Sequence, residues 1–364
     1  MMERGHGFGI VGCGVIAPFH ARAIAGLEGA RLIAVADENA ERAQGLATDF
    51  NVEALSIDAL LSRPDIDVVC VCVPSGRHAE IGAMAATAGK HVIVEKPIEV
   101  TLEAADRLID SCKRNGVVLS VISQHRWDDG IRELKHLVDS GQLGRLVLGD
   151  AIIKWYRTQA YYDSGEWRGT VELDGGGALM NQGVHYVDLL RWVMGPVERV
   201  FAQTRTLAHE RIEVEDVALV VLSFAGGAVG VIESSTAVYP GLSERLEVSG
   251  TDGTVIVEAG VMKVRELKAK KGETSLYGGG VSGDDASGPA AAANPADIPY
   301  LGHREQIRDV LEAIETGRPP QVDGAEARKA LEIILAAYES ARTGRELTLP
   351  WSGREGRVRQ PMKP

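Results

Sequence analysis

The run Val68-Val69-Cys70-Val71-Cys72-Val73 limits most strongly what this chain can fold into. It contains six consecutive apolar residues between Asp67 and Pro74, and such a run is typical of a strand buried on both faces of a parallel sheet. Shorter apolar runs, among them Phe8 to Val11 and His91 to Val94, alternate with helical patterns over the first ~120 residues. We therefore predict that the chain begins with a doubly wound α/β domain.

The pattern changes beyond Ser123. Strand-like segments follow one another between Leu146 and Leu267, and turn pairs such as Gly226-Gly227 and Asp252-Gly253 join several of them. Few helical patterns interrupt this region. It is predicted to form a second, α+β domain with a large, mostly antiparallel sheet that leaves one face open.

The predicted domains are residues 1–123 and 124–364. Helices expected at 301–343 have the length and amphipathic pattern to pack back on the first domain. Before them, residues 277–299 consist almost wholly of Gly, Ala, Ser, Asp and Pro. That composition predicts a mobile surface loop.

The charge balance argues against strongly negative partners. The 364 residues include 39 Lys and Arg against 51 Asp and Glu, a net charge of −12, and no basic cluster stands out. We therefore expect neither nucleic acid nor a membrane surface as a partner. The four cysteines lack the spacing of a metal site. Because no signal peptide or membrane-spanning run is evident either, we expect a metal-free protein of the reducing cytoplasm.

The sequence Gly12-Cys13-Gly14-Val15-Ile16-Ala17 matches the pattern G-x-G-x-x-A. It follows an apolar strand and precedes a helical segment, the context in which this pattern marks the dinucleotide-binding loop of a Rossmann fold. Glycine permits a tight turn and close approach of the backbone, and the amino end of the helix presents free N–H groups to a pyrophosphate. We predict that Gly12, Gly14, Val15 and Ile16 contact such a cofactor.

Asp37 lies twenty residues after Ala17, at the end of the second predicted strand. A carboxylate at this place accepts hydrogen bonds from the ribose hydroxyls of adenosine and repels a 2′-phosphate. Glu38 adds to that repulsion, so the sequence predicts NAD rather than NADP. The alternative is a turn in which Asp37 only caps the next helix.

Four stretches of the chain resemble the Gfo/Idh/MocA oxidoreductases, which include inositol and sugar dehydrogenases. They are Gly12-Cys13-Gly14-Val15-Ile16-Ala17-Pro18-Phe19-His20, Pro74-Ser75-Gly76-Arg77-His78, Gly89-Lys90-His91-Val92-Ile93-Val94-Glu95-Lys96-Pro97 and Leu173-Asp174-Gly175-Gly176-Gly177-Ala178-Leu179-Met180-Asn181-Gln182-Gly183-Val184-His185. The resemblance spans most of the chain, and Glu-Lys-Pro in this context is highly specific. The resemblance implies an NAD-dependent enzyme that removes hydride from a secondary alcohol.

The resemblance implies that Lys96 lies beside the nicotinamide and acts as the base on the reacting hydroxyl. A lysine accepts that proton only when burial and a nearby cation lower its pKa towards the working pH. In the family, Pro97 would fix the exit of the strand and Glu95 would meet the nicotinamide ribose. The alternative is that Lys96 is a solvated lysine at the end of a strand.

By the same resemblance, His185 shares the substrate hydroxyl with Lys96 as a proton relay or an orienting donor. Asn181 and Asp188 lie near its face of a helix predicted from Ala178 to Met194. Inositol dehydrogenases of the family commonly carry Asp at the position of Asn181. Asparagine does not ionise but still hydrogen-bonds a sugar hydroxyl, so an inositol substrate does not follow directly. A structural histidine is the alternative for His185, and we assign Asp188 to helix structure.

Further contacts are predicted from the resemblance and from side-chain chemistry. Aromatic faces cover the C–H surfaces of a polyol, and polar tips bind its hydroxyls. The additional cofactor contacts are Pro74, Ser75, His78, Glu95, Lys96, Gln124, Trp167 and Arg168. The substrate contacts are Lys96, Arg126, Tyr156, Arg157, Tyr161, Asn181 and His185. Ordinary packing is the alternative for each aromatic or arginine residue among them.

The leading hypothesis is an NAD-dependent dehydrogenase that oxidises a secondary ring hydroxyl of a sugar, glycoside or cyclitol. The alternatives are a nucleotide-sugar dehydrogenase and a non-catalytic regulator that senses NAD and sugar. Retention of Lys96 and His185 argues against the regulator. Apolar strands from Val217 to Ser235, with the small residues Ala228 and Gly230 on one face, predict a homodimer or homotetramer formed through the open face of the sheet.

Overall fold

The structure is a computed structural model that describes residues 5–268 and 300–351. The loop predicted at 277–299 lies outside the described residues. The chain forms two compact units. Of the described residues, the first unit holds 5–124, 170–175 and 300–331, and the second holds 125–169, 176–268 and 332–351. Two segments that follow residue 124 therefore belong to the first unit.

A six-stranded sheet, in which all neighbouring strands are parallel, forms the centre of the first unit. Its strands are β1 (His6–Val11), β2 (Ala30–Ala36), β3 (Glu53–Leu55), β4 (Val68–Val71), β5 (His91–Val94) and β6 (Leu119–Val121). Their order is β3-β2-β1-β4-β5-β6. The predicted doubly wound α/β domain is confirmed, and its strand order reverses between β1 and β4, where such sheets bind ligands.

The helices of the first unit connect these strands or follow later in the chain. They are α1 (Ala17–Ala25), α2 (Ala40–Phe50), α3 (Ile57–Leu61), α4 (His78–Thr87), α5 (Leu102–Arg114) and α9 (Leu301–Thr316). Every residue of β4 is buried, as its apolar sequence predicts. From α9, Ile307 and Val310 join the core cluster that contains Phe8 and Ile93, so the late segment completes the core of this unit.

The second unit contains an eight-stranded sheet in the order β13-β12-β11-β7-β10-β9-β8-β14. Its strands are β7 (Leu146–Lys154), β8 (Val197–Arg205), β9 (Val217–Phe224), β10 (Val229–Ser235), β11 (Arg245–Gly250), β12 (Gly253–Glu258), β13 (Val261–Leu267) and β14 (Leu347–Thr348). Only the pair β7 and β10 is parallel, and the other pairs are antiparallel. The predicted, mostly antiparallel sheet is confirmed.

Burial alternates along β9, where Val220 and Leu222 are buried while Leu219 and Val221 are each 50% exposed. One face of the sheet is therefore covered and the other carries exposed apolar side chains. The prediction that Ala228 and Gly230 lie on the open face was wrong, because both are buried. A Cβ atom on Gly230 would lie 2.4 Å from the carbonyl oxygen of Gly149 and 2.9 Å from the Phe224 ring, so this glycine serves packing inside the unit.

The helices of the second unit include one with an unusual hydrogen-bonding pattern. The α-helices are α6 (Asp129–Asp139), α7 (Gln159–Asp163), α8 (Val184–Met194) and α10 (Gly324–Thr343), and the boundary between the two units falls within α10. The single α-helix predicted from Ala178 to Met194 is instead a π-helical turn, Ala178–Gly183, followed by α8. No helix among residues 5–268 and 300–351 has the length and apolar character to cross a membrane.

Candidate active site

The nucleotide loop lies between β1 and α1 in the first unit. Gly12 has φ +96°, and a Cβ atom there would lie 2.5 Å from the carbonyl carbon of Cys72, so only glycine fits. Around a Cβ atom placed on Gly14, nothing that the structure describes lies within 4 Å. Val15 is 64% exposed, and Ile16 precedes the first turn of α1. The loop thus leaves its backbone open to a phosphate group, as the sequence predicts.

Asp37 ties this loop to the end of β2. Its Oδ2 atom accepts a hydrogen bond from the backbone N–H of Cys13 at 2.7 Å, and its Oδ1 atom accepts one from Asn39 at 2.7 Å. Glu38 is paired with Arg77 at 2.5 Å. Because that guanidinium compensates the charge of Glu38, the predicted repulsion of a 2′-phosphate depends mainly on Asp37.

If the predicted preference for NAD over NADP depends on Asp37, replacing Asp37 by serine should lower that preference by roughly 10- to 100-fold. Loss of hydrogen bonds to a charged acceptor costs about 1.5–3 kcal/mol, and the repulsion of a 2′-phosphate is lost as well. The ratio of kcat/KM for the two cofactors measures the effect. Glu38→Gln is the matched control and should change the ratio far less. An unchanged ratio in Asp37→Ser would contradict the assignment.

His78 links the ends of β4 and β5. Its Nδ1 atom lies 2.8 Å from the carbonyl oxygen of Pro97, and its Nε2 atom lies 3.0 Å from that of Val73. Burial lowers the pKa of this imidazole, although both carbonyl contacts raise it. The ring therefore fixes the backbone beside Lys96, which is half-buried. Direct cofactor contacts of His78, Pro74 and Ser75 are still predictions.

Glu95, which precedes Lys96 in the chain, forms a buried cluster with His20 and His303. Its Oε1 atom is 2.7 Å from Nε2 of His20 and 3.6 Å from Nε2 of His303, and its Oε2 atom accepts the backbone N–H of Lys96 at 3.2 Å. Burial raises the pKa of Glu95, but the hydrogen bonds and charges of the two histidines outweigh it and hold the pKa well below its usual value. The ribose contact predicted for Glu95 stays a prediction.

His20 is the cationic partner in this cluster. Burial lowers its pKa, whereas the neighbouring Cys72, Cys70 and Glu95 raise it, and the net result is a pKa well above the usual value. One ligand atom from each of His20, Glu95 and His303 lies within 4.8 Å of the others, which is a set able to hold a metal ion. The 2.7 Å separation of His20 and Glu95 is that of a charge-assisted hydrogen bond, so we interpret the cluster as a buried ion pair.

Gln124, a predicted cofactor contact, carries a buried acceptor atom. The residue is 6% exposed, and its Oε1 atom accepts no hydrogen bond from any residue that the structure describes. A buried acceptor without a donor is costly, and the carboxamide of a nicotinamide carries the N–H groups that would satisfy it. The open loop at Gly14 and the carboxylate of Asp37 fit a dinucleotide, and the contact of Gln124 with the cofactor is still a prediction.

In the second unit, the π-helical turn carries Asn181 and Gln182 and continues into α8, which carries His185. Short π-helical segments are rare and occur frequently at functional sites. The amide nitrogen of Gln182 donates to the hydroxyl of Tyr161 at 3.2 Å, and its buried Oε1 atom has no donor among the described residues. Gln182 is therefore a candidate for binding a substrate hydroxyl, which the sequence reasoning missed.

His125 is a second histidine beside His185. The two rings meet edge to face with centroids 5.0 Å apart, and Nδ1 of His125 lies 2.8 Å from Oδ2 of Asp128. Sequence reasoning predicted His185 but missed His125 and Asp128, because sixty residues separate the two histidines along the chain. The sequence alone therefore does not predict that the rings of His125 and His185 are in contact.

Arg126 forms a buried, bidentate pair with Asp188. Its Nε and Nη2 atoms donate to the two carboxylate oxygens at 2.7 and 2.5 Å, and its guanidinium lies 4.9 Å from the centre of the Trp192 ring. Asp188 is thus structural, as predicted. The substrate contact predicted for Arg126 is untested, and the contacts shown here hold α8 in place.

Two arginines stack on aromatic rings near the π-helical turn. The guanidinium carbon of Arg157 lies 5.4 Å from the centre of the Tyr161 ring, and that of Arg168 lies 4.3 Å from it. Arg157 also lies 5.1 Å from Trp155, and Arg168 lies 4.5 Å from Trp167. The structure therefore brings four predicted contacts together, Arg157, Tyr161, Trp167 and Arg168.

The ring of Tyr156 packs against the ring of Tyr239, with centroids 5.2 Å apart, and its carbonyl oxygen accepts a hydrogen bond from Arg157 at 3.1 Å. The hydroxyl of Tyr161 bonds to Gln182, so the stack of arginines and aromatics adjoins the turn that carries Asn181. This part of the second unit can bind hydroxyl groups and anions. Contacts of Trp167 and Arg168 with the cofactor are still predictions.

Comparisons with known proteins agree with this geometry. Residues 6–123 match the family model of the oxidoreductase family with an NAD-binding Rossmann fold, and residues 131–256 match the GFO/IDH/MocA C-terminal domain. A myo-inositol 2-dehydrogenase of Thermotoga maritima is 28% identical over 94% of this chain and 98% of its own length. A scyllo-inositol 2-dehydrogenase (NAD+) of Bacillus subtilis is 26% identical over 93% of this chain and 95% of its own.

A solved structure is similar over nearly the whole chain. The WlbA dehydrogenase of Bordetella pertussis, crystallised with NADH and UDP-GlcNAcA, is 33% identical, with a TM-score of 0.83 over 96% of this chain and 100% of its own. The predicted resemblance is confirmed by these matches and by both family models. This chain therefore belongs to the Gfo/Idh/MocA family of oxidoreductases.

Proposed function

We propose that this protein oxidises a secondary ring hydroxyl of a sugar, glycoside or cyclitol and transfers hydride to NAD. The observation that carries the proposal is the position of Lys96, which is half-buried and follows the end of β5. The Glu95 carboxylate accepts the backbone N–H of Lys96, and the His78 ring contacts the carbonyl oxygen of Pro97. The carboxyl end of a parallel strand is where such sheets bind ligands. The inositol dehydrogenases among its relatives support the substrate class.

In the proposed mechanism, Lys96 removes the proton of the reacting hydroxyl as hydride leaves the same carbon. Bound NAD supplies the electrophile that accepts the hydride. His185 hydrogen-bonds the same hydroxyl and passes the proton on. Asn181 and Gln182 orient the substrate through neutral hydrogen bonds, since neither side chain ionises. His125 lies beside His185 and is in turn held by Asp128.

A screen for NADH formation tests the proposal. Monosaccharides, glycosides and inositols are incubated with NAD, and absorbance reports the reduced cofactor. Lys96→Ala is the control that removes the proposed base. Oxidation of at least one neutral polyol by the wild-type protein, but not by the variant, is the expected result. NAD binding without oxidation of any compound would contradict it.

A nucleotide sugar or a sugar acid is the second candidate substrate. Arg157 and Arg168 lie close to Tyr161 in the second unit, and guanidinium groups bind phosphate and carboxylate well. The WlbA dehydrogenase, whose structure contains UDP-GlcNAcA, is the relative with 33% identity. The screen should therefore include UDP-sugars, uronic acids and their neutral counterparts. A clear preference for the charged members would favour this candidate.

We propose further that the protein forms a homodimer or homotetramer through the open face of the eight-stranded sheet. Phe201, Val221 and Val231 are neighbours across β8, β9 and β10. Phe201 is 37% exposed, and Leu219 and Val229 are each 50% exposed. A contiguous apolar surface of this kind marks an interaction site.

Replacing Val221 by glutamate is expected to shift the protein from the oligomer to the monomer. A charge in the centre of a buried interface stays unpaired and strongly opposes association. Light scattering after size exclusion measures the mass at micromolar concentration. Val261→Glu, on the edge strand β13, is the matched control because Val261 is 55% exposed and lies away from the centre. A monomeric wild-type protein would contradict the proposal.

A further inference from the structure

Glu215 is a buried carboxylate that the proposed mechanism does not use. It is 3% exposed. Its Oε1 atom accepts hydrogen bonds from the N–H of Leu179 at 2.8 Å and from the hydroxyl of Tyr338 at 3.0 Å. Its Oε2 atom accepts the N–H of Gly177 at 2.9 Å, and its carbonyl oxygen accepts that of Ala178 at 3.0 Å. One residue therefore accepts the N–H groups of the residue before the π-helical turn and of the first two residues of the turn.

The glycines before this turn are required by the same contacts. A Cβ atom on Gly177 would lie 1.7 Å from the carbonyl oxygen of Glu215, and one on Gly176 would lie 2.2 Å from the hydroxyl of Tyr338. The backbone contact excludes a side chain at Gly177, and a side chain at Gly176 would displace the Tyr338 hydroxyl. The carbonyl of Gly177 in turn accepts the backbone N–H of Asn181 at 2.9 Å. The anchored residues are thus bonded directly to a proposed substrate-binding residue.

We propose that Glu215, held by Tyr338, is a positioning residue that fixes the π-helical turn presenting Asn181 and leading into His185. This inference rests on the proposed function, because the importance of the turn derives from those two residues. A carboxylate suits the place since all the groups that face its oxygens are donors. A glutamine at this position would point its side-chain N–H groups at the same donors. At least one of the hydrogen bonds that the carboxylate accepts would then be lost.

The charge state of Glu215 supports this role. Burial raises its pKa to about 7, although the hydrogen bonds from the turn and from Tyr338 lower it. The groups that face the carboxylate are the backbone N–H groups of the turn and the Tyr338 hydroxyl, since the adjacent Asp216 is bound to His209. Protonation of the Glu215 carboxylate would add an O–H donor that faces the donors already bound to it, the N–H groups of Gly177 and Leu179 and the Tyr338 hydroxyl. The π-helical turn should therefore be well ordered at pH values above the pKa of Glu215 and more flexible below it.

The first test compares Glu215→Gln with Tyr338→Phe in the full chain. We expect Glu215→Gln to lower kcat by about 10- to 100-fold, because a small displacement of reacting groups has effects of this size. It should also remove an inflection near pH 7 from the profile of kcat. Tyr338→Phe keeps the carboxylate but removes a donor to its charged form, so the inflection should move to higher pH.

A purely structural role would change stability and leave the inflection in place. The inference is therefore overturned if Glu215→Gln keeps both the wild-type kcat and the inflection, or if Tyr338→Phe moves the inflection to lower pH. Circular dichroism checks that each variant is folded. Glu210→Gln is the matched control, because Glu210 is an exposed glutamate of the preceding loop.

Amide hydrogen exchange without substrate separates this inference from the proposed function. Peptides that cover residues 177–185 should exchange faster in Glu215→Gln than in the wild type above the pKa, and Glu210→Gln should match the wild type. Failure to find any oxidised sugar would leave this comparison intact. Equal exchange in Glu215→Gln and the wild type would overturn the positioning role.

Discussion

Replacing Lys96 by alanine is expected to lower kcat by roughly 10²- to 10⁴-fold, the usual contribution of a general base. The backbone at this place is held by Glu95, whose carboxylate accepts the Lys96 N–H, and by His78, whose ring contacts the Pro97 carbonyl. These contacts do not involve the Lys96 amine. The loss should therefore fall on the chemical step, with NAD affinity close to that of the wild type.

Lys96→Arg is the matched variant for this prediction. Arginine keeps a positive charge and a similar length but does not lose its proton in proteins. If the amine acts as a base, arginine should fail as completely as alanine. If the positive charge only orients the substrate, arginine should retain much of the activity, and the assignment of a base would be wrong. Initial rates of NADH formation under saturating NAD and substrate distinguish the two outcomes.

Replacing Glu95 by glutamine is expected to lower the free energy of unfolding by about 3–5 kcal/mol, the usual cost of removing one partner of a buried ion pair. His20 is completely buried and Glu95 is 6% exposed, so water cannot take the place of the lost carboxylate. Urea titration measures the change. Glu80→Gln is the control, because Glu80 pairs with Arg77 at the surface and such pairs contribute about 0–1 kcal/mol.

The same pair predicts how stability depends on pH. The pKa of His20 is raised above its usual 6.5, so its contribution is complete below that pH and is lost as the pH rises through the raised pKa. The pKa of Glu95 is lowered below its usual 4.5, so its contribution is complete above that pH and is lost as the pH falls through the lowered pKa.

The stability difference between the wild type and Glu95→Gln should therefore be largest between pH 4.5 and 6.5. It should become smaller on both sides of that range. Urea titrations at several pH values measure it. A difference that does not change with pH would show that His20 and Glu95 are not an ion pair.

Periodic and apolar patterns predicted most of the fold. The strand His91–Val94 has the predicted bounds. Asn39 caps α2 by accepting the N–H groups of Glu41 and Arg42. In contrast, β3 and α3 were missed, because a three-residue strand and a five-residue helix are too short to show a period.

The interactions that the sequence did not reveal join residues far apart in the chain. Gln306 of α9 bonds to the backbone of Val121 and Ser123, across more than 180 positions. Glu215 anchors a turn that lies 36 to 38 positions before it. Such pairs follow from tertiary packing and have no local signature. The glycines at 175–177 were the one available sign that something packs closely there.

Asn181 shows where motif reasoning succeeded and where it stopped. The motif located the residue on a helical segment, and the structure confirms that position. The local geometry is π-helical, however, and Glu215 accepts the N–H groups of Gly177 and Leu179 at its start. The local sequence predicted an α-helix here, and the contacts with a carboxylate 36 to 38 positions away could not be read from it.

Chemical rescue of Lys96→Ala by small primary amines tests the central claim most directly. In this experiment the variant is supplied with NAD, its best polyol and a series of alkylamines of different basicity, and NADH formation is followed. If an uncharged amine takes the hydroxyl proton, the rate should rise with amine concentration and with amine basicity. An alanine variant that forms NADH at the wild-type rate without any added amine would contradict the account.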